Sequence, residues 1–502
     1  MRHTLAYSIL LTLVITSGCT NNSPSSTETM VRIYETSAKG HLCQEIQPQS
    51  TLADATVMKV NFSEPRQEIS GFGGAFTEAS ASLLNRLSEE KSNEIIQRYF
   101  SEEGSRYSLM RTHMNSCDFS LSNYSYTPVA DDVALEHFSI DEDRADLIPM
   151  ILRAQAASKE GFRLFASPWT AAPWMKDNNS WVGGKLLPKY YDTWARFFAK
   201  YVDAYKAEGI DIWGFTVENE PHGNGNNWES MLYSPQEMTD FVANHLGPVL
   251  EKEGKGDLVI LGYDQNREGL REWVDEMYRD EHSSRYFDGT AVHWYESTVD
   301  YFPEELEYAH FKAPDKFLIQ TEACIDAEVP VWKDDAWYWK KEATDWGYTW
   351  REESKKYLHP KYAPVNRYAR DIIGCMNHWV DGWVDWNMVL DRRGGPNWKE
   401  NWCIAPVIVD PDQDEVYYTP LFYVLQHFSK FIRPGARVYS VEYDHEELMA
   451  TAAKNPDGTT VIVVFNEGYN SHDVALNIGE TTTFVSVGPQ TLQTITIAPK
   501  TE

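Results

Sequence analysis

Two short runs carry most of the chemistry this sequence could perform: Glu218-Asn219-Glu220-Pro221 and Thr321-Glu322-Ala323-Cys324. Each closes an apolar run, 213–217 and 317–321, that reads as a buried β-strand. Pro221 cannot continue a β-ladder, so the carboxylates and the amide beside it are expected at a strand's rim. Glu220 and Glu322 are 322 − 220 = 102 residues apart, room for three strand–helix units of about 30 residues each. Glutamates at rims three units apart face one another across the mouth of a barrel. Two opposed carboxylates are what glycosidic bond cleavage requires, one as acid and the other as nucleophile or base. A single glutamate after a strand more often caps a helix or meets solvent. The matched pair beside Asn219 points to chemistry instead.

The elements that must hold this pair follow from the apolar pattern. Candidate strands fall at 71–76, 108–114, 163–167, 210–217, 258–262, 290–295, 316–321 and 382–389, with amphipathic helical stretches between them. Eight strands alternating with helices predict a closed (β/α)8 barrel, here over residues 67–425. From about Leu421 the pattern changes to short strands separated by Gly, Pro and Asn turns. Residues 426–502 therefore read as a β-sandwich, to which an N-terminal strand within 46–66 adds. The fold class is α/β: a TIM barrel with a side β-sandwich.

Composition narrows the partners. With 45 Lys+Arg against 75 Asp+Glu the net charge is −30, which repels nucleic-acid backbones and anionic lipid. A content of 18 Trp suits stacking on sugar faces, although a large barrel core also uses Trp. No metal is expected, and no cofactor motif is present; Gly71-Phe-Gly-Gly74 lacks the spacing of a dinucleotide loop. A monomer is expected. Six cysteines without a CxxC pair indicate neither a disulfide framework nor a zinc site. The first nineteen residues read as an export signal: Arg2 and His3, an apolar run from Leu5 to Ile15, then Thr-Ser-Gly-Cys19. Residues 20–45 read as a flexible tether.

The segments Gly71-Phe-Gly-Gly-Ala75, Ala166-Ser-Pro-Trp169, Thr216-Val-Glu-Asn-Glu-Pro221, Ala291-Val-His-Trp-Tyr295, Thr321-Glu-Ala-Cys324, Asp385-Trp-Asn387 and Gly394-Gly-Pro-Asn-Trp398 together resemble glycoside hydrolase family 30, the family of glucosylceramidases and β-1,6-glucanases. The resemblance implies a barrel with a sandwich built from both chain ends, and hydrolysis with retention. It implies Glu220 as acid/base and Glu322 as nucleophile. Asn219 would hold the sugar 2-hydroxyl, Tyr295 would bond the nucleophile, and Trp169 and Trp386 would line the pocket. Asn397 lies in the matching segment after the eighth strand, and Glu78 stands where glucosylceramidase is expected to have a shorter Asp. His293 reads equally as a ligand or as a core histidine. The ending Gly18-Cys19 resembles a bacterial lipoprotein signal, which implies lipidation of Cys19, a periplasmic or outer-membrane location, and membrane contact only through that anchor.

Between Glu322 and the helix expected from Val365 lies a long loop with five Trp, of which Trp337 and Trp339 read as distal sugar platforms. The substrate expected is a β-glucan, most of all a 1,6-linked one. Glucosylceramide hydrolysis, β-xylosidase activity and a non-catalytic carbohydrate-binding lipoprotein are the competing readings. A retaining enzyme should hold its two carboxyl groups ~5–5.5 Å apart.

Overall fold

The computed structural model describes residues 31–40, 42–48 and 54–499. The leader with Cys19 and the first part of the expected tether lie outside the described residues. Three strands precede the barrel: β1 (Val31–Ser37), β2 (Gln44–Ile46) and β3 (Thr56–Asn61). The barrel strands are β4 (Gly71–Phe76), β5 (Leu109–Met114), β6 (Arg163–Pro168), β7 (Gly214–Thr216), β8 (Val259–Asn266), β9 (Gly289–His293) and β10 (Phe317–Glu322). After a short β11 (Ile325–Asp326), β12 (Gly382–Asn387) completes the set. The ring runs β12-β4-β5-β6-β7-β8-β9-β10 and closes between β10 and β12.

The ring is filled rather than hollow. Leu109, Phe165, Val259, Leu261, Ala291, Ile319 and Val384 pack inside it, as side-chain layers must in a barrel of this size. Glycine sets how closely the strands approach. A Cβ on Gly73 would lie 1.9 Å from the Leu109 carbonyl oxygen, and one on Gly214 would lie 2.5 Å from that of Val259. The crowding at Gly214 accompanies a strand shorter than the expected 210–217, with ladder pairing confined to Gly214–Thr216. Outside the ring, the helix Tyr191–Ala207 buries Trp194, Phe197, Phe198, Tyr201 and Tyr205, the spacing of one helical face.

The sandwich takes strands from both chain ends in one nine-stranded ladder. The strand Arg437–Glu442 turns the corner between the layers: its first half pairs with Ala452–Lys454, and its second half pairs with β3. The tether expected over residues 20–45 is corrected in its later part. Residues of β1 pair with Thr491–Ile497 along the whole strand, from Val31↔Ile497 to Ser37↔Thr491. The physical reason is the alternation in Val31-Arg-Ile-Tyr, which buries Ile33 in the sandwich core. Buried His427 then ties the two elements: its ring nitrogens lie 2.8 Å from Thr36 Oγ1 and 2.7 Å from Thr494 Oγ1. Burial pushes this imidazole down to about 3, so it bridges the hydroxyls as a neutral group.

Candidate active site

The C-terminal ends of the barrel strands meet at a cavity of about 250 Å³. Behind its wall lies Arg111, a fully buried arginine on β5. The guanidinium donates to Glu322 Oε2, to Asp264 Oδ2 at 2.8 Å, to Asn219 Oδ1 at 2.9 Å and to Ser167 Oγ at 2.9 Å. It also lies 4.9 and 5.5 Å from the ring centroids of Trp169 and Trp386, which stack on each other at 5.1 Å. Burial alone would lower the Arg111 pKa; the charges of Asp264 and Glu322 outweigh it and raise the pKa.

Local irregularities aim the carboxylates. Tyr263 and Asp264 both have left-handed φ, +73° and +62°, where the register of β8 with β9 shifts. This bulge turns Asp264 into the ring, where Thr321 Oγ1 donates to it at 2.6 Å and His293 Nε2 lies 3.0 Å away. Although burial disfavours its charge, Arg111 and His293 hold Asp264 down to about 2. Glu220 also has a left-handed φ of +50°. Its N–H donates to the Asp264 carbonyl at 3.0 Å, and its own carbonyl accepts from Gly223 N–H at 2.7 Å. A second register shift, between Gln320 and Glu322, ends β10 at the nucleophile candidate.

Glu220, His293 and Glu322 each place a ligand atom within 4.8 Å of the others. Oxygen and nitrogen donors are therefore clustered here, which the sequence reading did not foresee. Burial opposes charge on His293, but Glu322, Asp264 and Glu220 raise its pKa to about 9. In its protonated form this imidazole has no lone pair to offer a cation. Burial pushes the Glu322 carboxyl up, while His293 and Arg111 pull it back. Tyr295 OH donates to Glu322 Oε1 at 3.0 Å.

Several expected residues are brought together: Trp169, Asn219, Glu220, Tyr295, Glu322 and Trp386 all line the cavity. Four are placed elsewhere. Glu78, in the first turn of the helix Glu78–Arg86, accepts from Leu121 N–H at 3.0 Å and does not border the cavity. Asp118 occupies the rim instead, with Oδ2 accepting from Asn401 Nδ2 at 3.2 Å and a buried Oδ1 without a partner. Asn397 acts one step back: it exchanges two hydrogen bonds with the Asn401 backbone, at 2.6 and 2.8 Å, and Asn401 is the residue that reaches the cavity. Trp337 and Trp339 pack on the barrel core; Trp339 is only 8% exposed, and neither borders the cavity. The short helical turn Asp335–Trp339 buries Trp339, which makes it a loop anchor, and leaves Trp337 half-buried against the core. The loop tryptophan that reaches the cavity is Trp346.

Arg111, Asp264, Asp118 and Asn401 were missed from sequence. Arg111 and Asp264 are charges inside apolar strands, itself a signal of a buried pair. Asp118 follows β5 as Glu220 follows β7, at a strand's C-terminal rim. Among the described residues all five cysteines are free, and Cys324 and Cys403 meet at the cavity with sulfurs 3.4 Å apart.

Residues 69–432 match the model of the glycosyl hydrolase family 30 TIM-barrel domain, and residues 436–495 match that of the family 30 beta-sandwich domain. The chain belongs to glycoside hydrolase family 30 and is an O-glycosyl hydrolase. Lysosomal acid glucosylceramidase of Mus musculus is 35% identical, over 82% of this chain and 77% of that protein. SrfJ from Salmonella typhimurium superposes with a TM-score of 0.83 at 29% identity, covering 94% of this chain and all of that one. The endo-β1,6-glucanase BT3312 superposes with a TM-score of 0.79 at 26% identity, covering 93% and 100%.

Proposed function

We propose that the protein hydrolyses β-glucosidic bonds with retention of configuration, on β-1,6-linked glucan fragments. The observation that carries the mechanism is the approach of Glu220 and Glu322 to within 4.8 Å, oxygen to oxygen. That spacing suits direct attack by one carboxylate; an attacking water between the two would need ~6.5–9.5 Å. Glu322 is the nucleophile, because Arg111 and Tyr295 both donate to it and so favour its anionic form. As Glu322 bonds to the anomeric carbon, the glycosidic C–O bond breaks and Glu220 gives its proton to the leaving oxygen. Glu220, now a carboxylate, takes a proton from water, whose oxygen displaces Glu322 from the sugar. His293, charged and 3.5 Å from Glu220 Oε1, steadies that carboxylate between the two steps. Arg111 holds Asn219 by its Oδ1, which leaves Nδ2 to meet the sugar 2-hydroxyl.

The cavity lining supports a sugar on both sides of the bond. Trp, Tyr, Asn, Gln, Asp and Arg make up most of it, and it contains no Leu, Ile, Val, Phe or Met. A ceramide tail would gain little there. The name of the relative BT3312 supports the 1,6 linkage. The 35% identity to a glucosylceramidase favours the second reading, a glucosyl lipid. Incubating the protein with β-1,6-linked glucose oligosaccharides, glucosylceramide and aryl β-xyloside decides between them, with the product anomer followed by NMR. Glucose released first as the β-anomer from the oligosaccharides is expected. An α-anomer as first product refutes retention, and cleavage of glucosylceramide alone refutes the glucan. From the leader ending Gly18-Cys19 we also propose export and lipid anchoring at Cys19, to be checked by labelling cells with a fatty-acid probe and by its loss in Cys19→Ala.

A further inference from the structure

We infer that Asp326, Trp346 and Arg351 form a binding site for the leaving sugar, distinct from the half of the cavity that holds the sugar under attack. The inference rests on the proposed hydrolysis of glucan and names the residues that would select its acceptor side. The barrel order divides the cavity. Glu220 follows β7 and Glu322 ends β10, so the two carboxylates separate one arc, β12-β4-β5-β6, from the other, β8-β9. The first arc carries Asp118, Trp169, Trp386 and, beyond β12, Asn401. The second carries Gln265, Asn266 and Tyr295, and the loop after β10 adds Asp326, Trp346 and Arg351 to this cavity. Asp326 feels the charge of Glu220, the group that must protonate the leaving oxygen.

Each of the three offers something a pyranose can use. Trp346 is 6% exposed: His359 meets its ring edge-on at 4.6 Å, Trp350 at 5.6 Å, and the guanidiniums of Arg367 and Arg351 lie 5.7 and 6.0 Å away. Arg351 stacks on Trp350 at 4.9 Å, with Nη2 3.7 Å from Glu296, yet its Nε is buried without a hydrogen-bond partner. Asp326 Oδ1 is likewise buried without a partner. Burial raises the Asp326 pKa to about 7, against the opposing charge of Arg367. A buried donor and a buried acceptor left open beside an indole face are costly unless something fills them. A hydroxyl-bearing ring fits: its C–H face lies on the indole, and its hydroxyls accept from Arg351 Nε and bond Asp326 Oδ1. An anionic leaving group does not fit, since Asp118, Glu220, Glu322 and Asp326 line the same cavity. An alkyl chain would leave both polar atoms unsatisfied.

The test compares Trp346→Ala, Arg351→Met and Asp326→Asn with the wild type on a β-1,6-linked glucose disaccharide and on β-glucosyl fluoride. The two share the sugar under attack, but fluoride is a single atom and cannot span the second arc. The kcat/KM ratio of disaccharide to fluoride is expected to fall on the order of tenfold or more in Trp346→Ala and Arg351→Met. Turnover of the fluoride also reports that each variant is folded. Equal losses on both substrates, or an unchanged ratio, would overturn the inference while leaving the proposed hydrolysis intact. A wild type that cleaves neither substrate would overturn the proposed function itself, and the inference with it.

Discussion

Replacing Glu220 by Ala separates the two halves of the proposed reaction. The backbone there is left-handed, with φ +50°, and is pinned by hydrogen bonds to Asp264 O and from Gly223 N–H. Ala carries a Cβ as Glu does, so the strain is the same in both and the fold should be kept. What is lost is a proton donor beside the leaving oxygen, worth ~10²–10⁴-fold, or about 3–5 kcal/mol of barrier. An alkoxide leaving from a glucan needs the whole of that proton, so disaccharide hydrolysis should fall by the full factor. A dinitrophenolate leaves without help, so the first step on its β-glucoside should survive while the second, which needs Glu220 as base, stalls. The vacated volume adjoins His293, which Glu220 had helped to keep charged at 3.5 Å. A small anion fits that space. Azide should therefore restore turnover of the dinitrophenyl glucoside and yield β-glucosyl azide, seen by mass spectrometry and NMR. Equal losses on both substrates, with no azide adduct, would refute the assignment of Glu220 as acid/base.

Arg111→Met should destabilise the protein by about 3–5 kcal/mol, because Glu322 and Asp264 lose a shared buried cation; a denaturant melt indistinguishable from wild type would contradict the charge hub. His293 titrates at about 9 in the fold against 6.5 when free. Its charge therefore stabilises in full below pH 6.5, and the contribution fades between pH 6.5 and 9. Asp264, at about 2 against 3.8, stabilises above pH 3.8 and loses that contribution as pH falls towards 2. Melting temperatures across pH should show both limbs, the alkaline one flattened in His293→Gln. Trp339→Ala should cost about 3–5 kcal/mol of stability as a core truncation, with KM for a glucose trisaccharide following the wild type; a raised KM at unchanged stability would restore it as a sugar platform.

The sequence by itself determined the barrel, the sandwich and the two glutamates. Periodicity marks strands, and strand ends mark rims, so Glu220 and Glu322 could be located by counting units. Family motifs added Asn219, Tyr295, Trp169 and Trp386 because each sits within three residues of a strand end, where the fold leaves little freedom. The loop between β10 and the helix Pro364–Asn377 has no such period. Which of its tryptophans faced the cavity depended on how the loop folded back, and packing buried Trp339 and half-buried Trp337 while sending Trp346 to the site. Glu78 and Asp118 show the same limit at closer range: both follow barrel strands, and only the turn each enters decides which carboxylate reaches the cavity. The Arg111 hub was beyond any local reading, since its partners Asn219, Asp264 and Glu322 are 108, 153 and 211 residues away along the chain. Only the closing of the ring brings them within hydrogen-bonding distance, and burial then makes each charge depend on the others.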